Sequence, residues 1–293
     1  MKKDMPLEGL RWSRDSGSAL YDTPQNGRSR TGWGGQPIEV AYSGGKDSDV
    51  ILELVRMSGV QYRAIYKCTT IDPPGTIKHC EENGVEIMRP KESFFKMMRD
   101  KGIPNRYYRF CCSTLKEYPV LYNVVIGVRT AESRKRAERY KEPVVCRVFN
   151  KTKDIREQQI LPILDWTDAE ELEFIKERGI KLHPLYYRED GIIDISRRLG
   201  CMCCPLMSKR RRIESFMQHP KMLRQYVRNA QMYLDSHPGC KTSQVFKNVY
   251  EWVCREIFFE SNTKWNESKN GFFEDEEGFH KRFLEDYFHI KLD

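Results

Sequence analysis

The stretch of this sequence best suited to chemistry is residues 43–48, which lies between two apolar runs and reads Ser-Gly-Gly-Lys-Asp-Ser. The first run predicts a β-strand and the second an α-helix, so the stretch is the loop between them. Glycines let a backbone turn tightly, and the free amides at a helix start attract phosphate oxygens. A polar turn entering a helix is the alternative. The predicted phosphate site consists of Ser43, Gly44, Gly45, Lys46, Asp47 and Ser48.

The composition is that of a globular protein. Of the 293 residues, 39% are hydrophobic, which is enough for a core, and the net charge of +8 permits an anionic partner. No run approaches the roughly 18 apolar residues of a membrane span, and the N-terminus has no apolar signal core. We therefore expect a cytoplasmic protein with no membrane partner. In that reducing compartment its ten cysteines indicate metal binding, redox chemistry or core packing.

Three regions follow from the patterning. Residues 1–36 lack a sustained period and predict an irregular N-terminal arm. Residues 37–205 alternate short strands with helices, which predicts an α/β fold with a doubly wound, mainly parallel sheet. Residues 206–293 carry apolar positions at helical spacing and predict a helical C-terminal extension.

Cysteines form a second candidate site. The adjacent pair Cys111 and Cys112 is followed, far along the sequence, by Cys201 and Cys204 in a Cys-x-x-Cys arrangement. Four thiolates are the ligand set of an iron–sulfur cluster or of a structural zinc. Inert buried thiols are the third interpretation, and Cys203 leaves the choice of ligands in the second group open. Packing roles are predicted for Cys68, Cys80 and Cys146.

Basic and acidic residues supply further candidates. Arg129 and Arg136 offer forked donors to phosphate, Gly127 allows close approach, and Glu132 could orient an arginine or a ribose. Asp72 follows the second predicted strand and faces the nucleotide crevice or simply forms a turn. The run from Lys209 to Arg212 is a nucleic-acid contact or a solvated helix face.

Three of these motifs resemble one family. Ser-Gly-Gly-Lys-Asp-Ser resembles the pyrophosphate (PP) loop of the adenine-nucleotide alpha-hydrolase superfamily, which includes ATP pyrophosphatases and the phosphoadenylyl-sulfate (PAPS) reductase family. Residues 127–136 resemble the Gly-x-Arg-x-x-Glu-Ser-x-x-Arg element of the PAPS reductase family, and residues 109–116 resemble its Arg-Trp-Cys-Cys-x-x-x-Lys stretch. Adjacent cysteines before a distant Cys-x-x-Cys are similar to the [4Fe–4S] pattern of adenylyl-sulfate (APS) reductases and of the DNA-phosphorothioation ATP pyrophosphatase.

The resemblance implies roles for these residues. It assigns Lys46, Asp47 and Arg129 to catalysis and favours a [4Fe–4S] cluster on Cys111, Cys112, Cys201 and Cys204. The implied nucleotide is ATP, or a sulfonucleotide, with Mg²⁺. The implied nucleotide-binding residues are those of the loop together with Asp72, Gly127, Arg129, Glu132, Ser133 and Arg136.

One departure separates this chain from the sulfonucleotide reductases. They carry a tail motif Glu-Cys-Gly-Leu/Ile-His, and nothing after Cys204 matches it. We therefore expect an ATP-pyrophosphatase-like enzyme that adenylates an acceptor for sulfur transfer. Nucleic acid is a candidate acceptor, and a cysteine desulfurase is a candidate sulfur donor. The alternatives are a reductase with an unusual thiol, a tRNA or metabolite adenylating enzyme, and a non-catalytic binding module. An oligomer is compatible with all of them.

Overall fold

The computed structural model describes residues 37–118, 120–150, 155–258 and 278–292. The predicted N-terminal arm, residues 1–36, lies outside them. The described residues form two compact units. The first unit consists of the described residues within 37–68, 73–89 and 118–200. The second unit consists of the described residues within 69–72, 90–117 and 201–292.

The first unit is built on a six-stranded sheet. Its strands are β1 (Ile38–Tyr42), β2 (Tyr62–Lys67), β3 (Glu86–Met88), β4 (Asn123–Val125), β5 (Val144–Asn150) and β6 (Ile155–Ile160). They lie in the order β3-β2-β1-β4-β6-β5, and every neighbouring pair is parallel except the antiparallel pair of β5 and β6. The predicted α/β class with a mainly parallel sheet is confirmed.

Strand β1 lies inside the sheet, between β2 and β4, and its buried apolar residues Ile38, Val40 and Tyr42 alternate with the buried Glu39 and the half-buried Ala41. Val40 is aligned with Ala64 of β2 on one side and with Val125 of β4 on the other. The chain leaves β1 in one direction along the sheet and later returns through β4 on the opposite side. This reversal of strand order is a topological switch point, where α/β proteins bind ligands beyond the carboxyl ends of the strands.

Helices connect the strands and fill the second unit. They are α1 (Lys46–Ser58), α2 (Thr76–Glu82), α3 (Phe94–Lys101), α4 (Phe110–Leu115), α5 (Arg134–Arg139), α6 (Asp168–Glu177), α7 (Lys209–Gln218), α8 (Pro220–Ser236), α9 (Lys241–Val245), α10 (Val249–Phe258) and α11 (Phe279–Phe288). Single 3₁₀ turns occur at Thr130–Glu132 and Pro184–Tyr186. The capping box at the start of α6, formed by Thr167 and Glu170, is confirmed.

The second unit has its own core, in which α3 packs against α8. Phe94 of α3 lies 5.8 Å from the ring of Tyr226 on α8, and Phe216 of α7 lies 5.2 Å from it. Arg99 of α3 donates a hydrogen bond of 2.6 Å to the Asn229 side chain of α8. These contacts group residues 90–117 with the C-terminal helices. The predicted division at residue 205 cuts the sequence at one point, whereas the compact units interleave along it.

No helix within the described ranges combines the length and apolar character needed to cross a bilayer.

Gly127 lies where the chain leaves β4 and passes α1. A methyl group built on it would lie 2.8 Å from the carbonyl oxygen of Asp47 and 2.9 Å from its carbonyl carbon. Real side chains do not approach backbone atoms so closely, and a backbone cannot rotate away as a side chain can. This glycine therefore permits α1 to pack beside the end of β4.

We predict that Gly127→Ala destabilises the fold by about 1–3 kcal/mol, because the added methyl group must displace α1. Urea denaturation measures the difference. Gly200→Ala is the matched control, since nothing lies within 4 Å of a methyl group there. Equal stability of the two variants would contradict the close approach.

Candidate functional site

The loop that follows β1 is held by its own hydroxyl groups. Gly44 has a φ of 76°, in the left-handed region that favours glycine. The Ser43 hydroxyl accepts a hydrogen bond of 3.3 Å from the Gly45 amide, and the Ser48 hydroxyl donates one of 2.7 Å to the Gly45 carbonyl. The two hydroxyls are 3.2 Å apart. The loop therefore has a defined shape before any ligand binds.

A segment from later in the chain covers this loop. A methyl group on Gly44 would lie 3.1 Å from Leu199, and one on Gly45 would lie 3.3 Å from the Tyr186 hydroxyl. That hydroxyl accepts hydrogen bonds from the amides of Leu199, at 3.3 Å, and of Lys46. Burial raises the pKa of Tyr186 to about 12, although these hydrogen bonds act against the rise. The phenol is therefore neutral at physiological pH.

A buried ion network lies beside the loop. The Lys46 ammonium is 2.7 Å from Glu171 and 3.2 Å from Asp47. The Arg129 guanidinium contacts Asp47 at 2.7 Å, Asp168 at 2.8 Å and Glu171 at 2.9 Å. The side chain of Arg129 is only 1% exposed and that of Glu171 is fully buried. Elements that are distant in the sequence thus meet at the switch point.

The carboxylates of this network titrate differently. Burial, with the nearby charge of Asp47, raises the pKa of Glu171 to about 7. Its Oε1 atom is buried and has no hydrogen-bond partner among the residues that the structure describes. Burial also acts to raise the pKa of Asp47, but Lys46 and Arg129 outweigh it and lower that pKa. At neutral pH Asp47 is ionised, whereas Glu171 is close to its midpoint.

The second unit gathers the predicted cysteine ligands. Cys111 and Cys112 follow one another on α4, and the Cys111 thiol donates a hydrogen bond to the Cys112 sulfur. This bond lowers the pKa of Cys112 to about 6 and raises that of Cys111. Cys201 and Cys204 are near enough to raise the pKa of Cys111 as well. The fold therefore brings both cysteine groups together.

Lys116 and Asp72 lie with these cysteines. Burial acts to lower the pKa of Lys116, but Cys201 and Asp72 outweigh it and raise that pKa. The Asp72 carboxylate accepts hydrogen bonds from Thr69, 2.8 Å from its amide and 2.6 Å from its hydroxyl. Asp72 thus belongs to the second unit with the cysteines, and its role in nucleotide binding stays a prediction.

In the described ranges, no three or more His, Cys, Asp or Glu side chains are placed as ligands of a single metal ion. Cys111, Cys112, Cys201 and Cys204 are four thiol donors in one unit, a set that suits an iron–sulfur cluster or a structural zinc.

Comparison with known proteins assigns the family. The sequence matches the phosphoadenosine phosphosulfate reductase domain over residues 37–207, which is more than half of the chain. The chain belongs to this family.

Individual relatives are more distant. The uncharacterized proteins MJ0066 and MJ0973 of Methanocaldococcus jannaschii are 25% and 23% identical, over 74% and 73% of this chain. The alignments cover 46% and 51% of those proteins, so the chain spans about half the length of the curated relatives it matches.

Two solved structures are similar in part. They are the PAPS reductase from Candida auris in its phosphate complex, with 16% identity and a TM-score of 0.43, and the U34-tRNA thiolase NcsA from Methanococcus maripaludis with its [4Fe-4S] cluster, with 17% identity and a TM-score of 0.37. They cover 67% and 68% of this chain, and 88% and 70% of their own chains.

The remaining predicted residues of the reductase domain contact one another. Glu132 accepts hydrogen bonds from the side chain of Arg136 and, at 3.4 Å, from the amide of Arg129. Ser133 caps α5 by accepting a hydrogen bond of 3.3 Å from the Arg136 amide. Arg198 donates to the Glu132 carbonyl at 2.9 Å. Glu132 thus orients an arginine, one of its two predicted roles, and nucleotide contact by these residues stays a prediction.

Sequence reasoning missed Asp168 and Glu171 as members of the site. Their spacing places them one turn apart on α6, and Glu171 shares its buried face with Ile175. An acidic residue at an inward position of an amphipathic helix was the available signal. Arg129 is also less open than predicted, because carboxylates already surround its guanidinium.

Three cysteines need separate comment. Cys203 is completely buried, its amide donates a hydrogen bond of 3.0 Å to the Ser215 hydroxyl, and burial raises its pKa to about 12. These features favour a packing role for Cys203, and the choice of Cys204 as the ligand stays a prediction. Cys80 is buried as predicted, but the packing role predicted for Cys146 is wrong, because Cys146 is exposed on the edge strand β5.

We predict that the site binds sulfate more weakly as pH rises through about 7, because Glu171 then gains a negative charge beside Lys46. Sulfate is a suitable probe since it does not titrate there, and calorimetry measures its affinity. Glu171→Gln should flatten the pH dependence, while Glu173→Gln, an exposed change on the same helix, should keep it. A wild-type protein with a flat profile would remove Glu171 from the site.

Proposed function

We propose that this protein is a nucleotide-dependent enzyme that converts ATP to AMP and pyrophosphate while adenylating an acceptor for sulfur transfer. The observation that carries the proposal is the convergence of the glycine loop, Lys46 and Asp47 with Arg129 and Glu171 at the switch point of the sheet. A chain with only a structural role has no need of two buried cations beside an anion-binding loop.

In this proposal the loop amides and the hydroxyls of Ser43 and Ser48 hold phosphate oxygens. A phosphate oxygen replaces Glu171 at the Lys46 ammonium, which becomes easier once Glu171 takes up a proton. Arg129 is a positioning residue, because it reaches the nucleotide through Asp47 and Glu171. Asp47, the more exposed of these two carboxylates, is the candidate contact for the Mg²⁺ that accompanies ATP.

In this proposal the reaction begins at the α-phosphorus of ATP. A nucleophilic atom of the acceptor attacks the α-phosphorus, the bond between that phosphorus and the bridging oxygen breaks, and pyrophosphate leaves while the acceptor proton passes to water. The terminal sulfur of a protein persulfide then displaces AMP from the adenylated acceptor, which leaves the acceptor joined to the carrier by an S–S bond. Two thiols of a dithiol reductant cleave that bond, so that the thiolated acceptor and the carrier thiol are released and the reductant becomes a disulfide. A cysteine desulfurase is the class of partner that would supply the persulfide.

Simple sulfonucleotide reduction is less well supported. That reaction needs a thiol that attacks sulfur, and the two cysteines after Cys204 are Cys240 and Cys254. Burial raises the pKa of Cys254, which makes it a poor nucleophile. Cys240 is more accessible, and hydrogen bonds from Ser243 and Thr242 overcome its partial burial and lower its pKa. It is the thiol on which the reductase alternative depends.

We predict that Lys46→Ala lowers pyrophosphate release from ATP and Mg²⁺ by about 10²-fold or more, through loss of a charged donor to the transition state. The assay uses anaerobically purified protein with and without candidate acceptors. Cys240→Ser should release pyrophosphate at the wild-type rate. Sulfite release from adenylyl sulfate that disappears in Cys240→Ser would favour the reductase instead, and unchanged turnover in Lys46→Ala would remove the loop from catalysis.

We also propose that Cys111, Cys112, Cys201 and Cys204 hold one [4Fe–4S] cluster. The support is their convergence in the second unit around the cation Lys116, which offsets the charge of gathered thiolates. When bound, a cluster held by four cysteines would supply an electron-transfer centre. Lys116 and the backbone around α4 would hold the thiolates in place.

We predict that protein purified without oxygen is brown and contains about four iron and four sulfide per chain. Replacing any one of the four cysteines by serine should bleach the colour. Cys203→Ser, the matched change between two ligands, should retain the colour, as should Cys80→Ser. Stoichiometric zinc without labile sulfide in iron-supplied protein would defeat the cluster.

For the acceptor we propose single-stranded nucleic acid, on the strength of one surface loop of the second unit. Tyr107 is 90% exposed and Tyr108 is 50% exposed. The loop is ordered nonetheless, because the Asn105 side chain accepts hydrogen bonds from both tyrosine amides, at 3.0 Å and 2.9 Å. An aromatic ring held in solvent is a stacking platform for a base.

Cations lie beside this loop. Arg106 donates a hydrogen bond of 2.9 Å to the carbonyl of Met207, which ties the loop to the start of α7. The first three residues of α7 are exposed cations, namely Lys209, Arg210 and Arg211. Arg212 is buried, so only part of the predicted basic run can contact phosphates.

We predict that Tyr107→Ala weakens binding of a single-stranded oligonucleotide by about 1–3 kcal/mol, the value of one stacked base. Fluorescence anisotropy measures the affinity, and Tyr122→Ala, another exposed tyrosine, is the control. Affinity should fall steeply with salt because phosphate contacts release counterions. A flat salt response, or equal binding by Tyr107→Ala, would remove nucleic acid as the occupant of this surface.

A further inference from the structure

Two buried polar side chains of the second unit have hydrogen-bonding atoms without partners. Arg212 is 6% exposed and Tyr226 is 1% exposed. Within the described part of the chain, no acceptor meets the Nε and Nη2 groups of Arg212, and no partner meets the Tyr226 hydroxyl. Arg212 lies on α7 and Tyr226 on α8.

Such an arrangement is costly in a folded protein. A buried donor that leaves water without gaining an acceptor destabilises the folded state, and more so when it is charged. Native structures therefore leave very few of them, and each calls for an explanation, such as an acceptor outside the described residues. Neighbouring donors from an arginine and a tyrosine indicate an acceptor that is negatively charged.

The remaining contacts of Arg212 fix its direction. Its Nη1 group donates to the backbone carbonyl of Glu256, and its guanidinium lies 5.9 Å from the ring of Phe216. The Tyr226 ring packs at 5.2 Å from the same Phe216 ring and at 5.8 Å from Phe94. The two unpartnered groups are thus held by a rigid aromatic core and cannot swing out to solvent.

The cysteines lie on this same core. Ser215, one turn after Arg212 on α7, accepts the hydrogen bond of 3.0 Å from the Cys203 amide. Tyr226 and Phe216 share one buried core with Cys203, and the partly buried Cys111 and Cys201 pack against that core. Two of these three cysteines are proposed cluster ligands.

We infer that Arg212 and Tyr226 donate hydrogen bonds to the sulfur atoms of the iron–sulfur cluster carried by the four cysteines, and that they raise its reduction potential. The inference rests on the proposed cluster. A cluster ligated by four thiolates carries net negative charge, and one-electron reduction adds to it. Donors aimed at its sulfurs stabilise the reduced form more than the oxidised form.

The test is an anaerobic potentiometric titration of the reconstituted full chain, followed by electron paramagnetic resonance. Tyr226→Phe removes only the hydroxyl and should shift the potential to a more negative value. A tenfold loss in stabilisation of the reduced cluster appears as a shift of about 59 mV for a one-electron couple. Arg212→Gln should shift it in the same direction. Tyr233→Phe, the same change farther along α8 where the hydroxyl contacts Cys240, should leave the potential unchanged.

Thermal stability supplies a second readout that does not depend on redox activity. In the iron-free protein none of the described residues pairs with the Tyr226 hydroxyl, so Tyr226→Phe should melt at the same or a higher temperature than the wild type. In the loaded protein the same change should lower the melting temperature. An unchanged potential with the same effect on stability in both forms would overturn the inference while leaving the cluster in place. Absence of iron and sulfide from the wild-type protein would instead defeat the cluster proposal itself.

Discussion

The enclosure of Arg129 by carboxylates is the constraint on which the first unit depends. Its partners come from α1, which carries Asp47, and from α6, which carries Asp168 and Glu171, while Arg129 itself follows β4. A buried guanidinium is tolerated only with well-placed partners, so these elements must meet in one geometry. These charged side chains stabilise the contacts at the switch point. They also determine the electrostatic potential at the place where a phosphate would bind.

The second unit solves a different electrostatic problem. Thiols gathered in one place resist ionisation together, as the opposite shifts of Cys111 and Cys112 indicate. Two cations lie in this unit and oppose the negative charge of ionised thiols. Lys116 interacts with Cys201, and Arg212 is held in the aromatic core. The unit therefore concentrates positive charge where the chain concentrates sulfur.

Structural features that depend on neighbouring residues could be predicted from the sequence. Features that depend on contacts between residues far apart in the sequence could not. The glycine loop, the capping box of α6 and the alternation behind the parallel sheet each follow from neighbouring residues. Strand β6 was missed because Glu157 and Gln159 are buried in it, so its pattern reads as polar. The roles of Cys203 and Cys204, one residue apart, depend on which sulfur turns into the core. The tertiary fold determines which sulfur that is. The positive φ of Cys203 shows that the backbone turns sharply at this point.

The cover over the glycine loop also affects how fast ligands exchange. The Tyr186 hydroxyl takes hydrogen bonds from Lys46 on the loop and from Leu199 on the cover, so an anion that claims the Lys46 amide must displace it. Leu199 then loses a bond at the same moment, which couples entry of the anion to release of the covering segment. The observed rate of ligand association would then level off at high ligand concentration, at a value set by the rate at which that segment opens and not by diffusion.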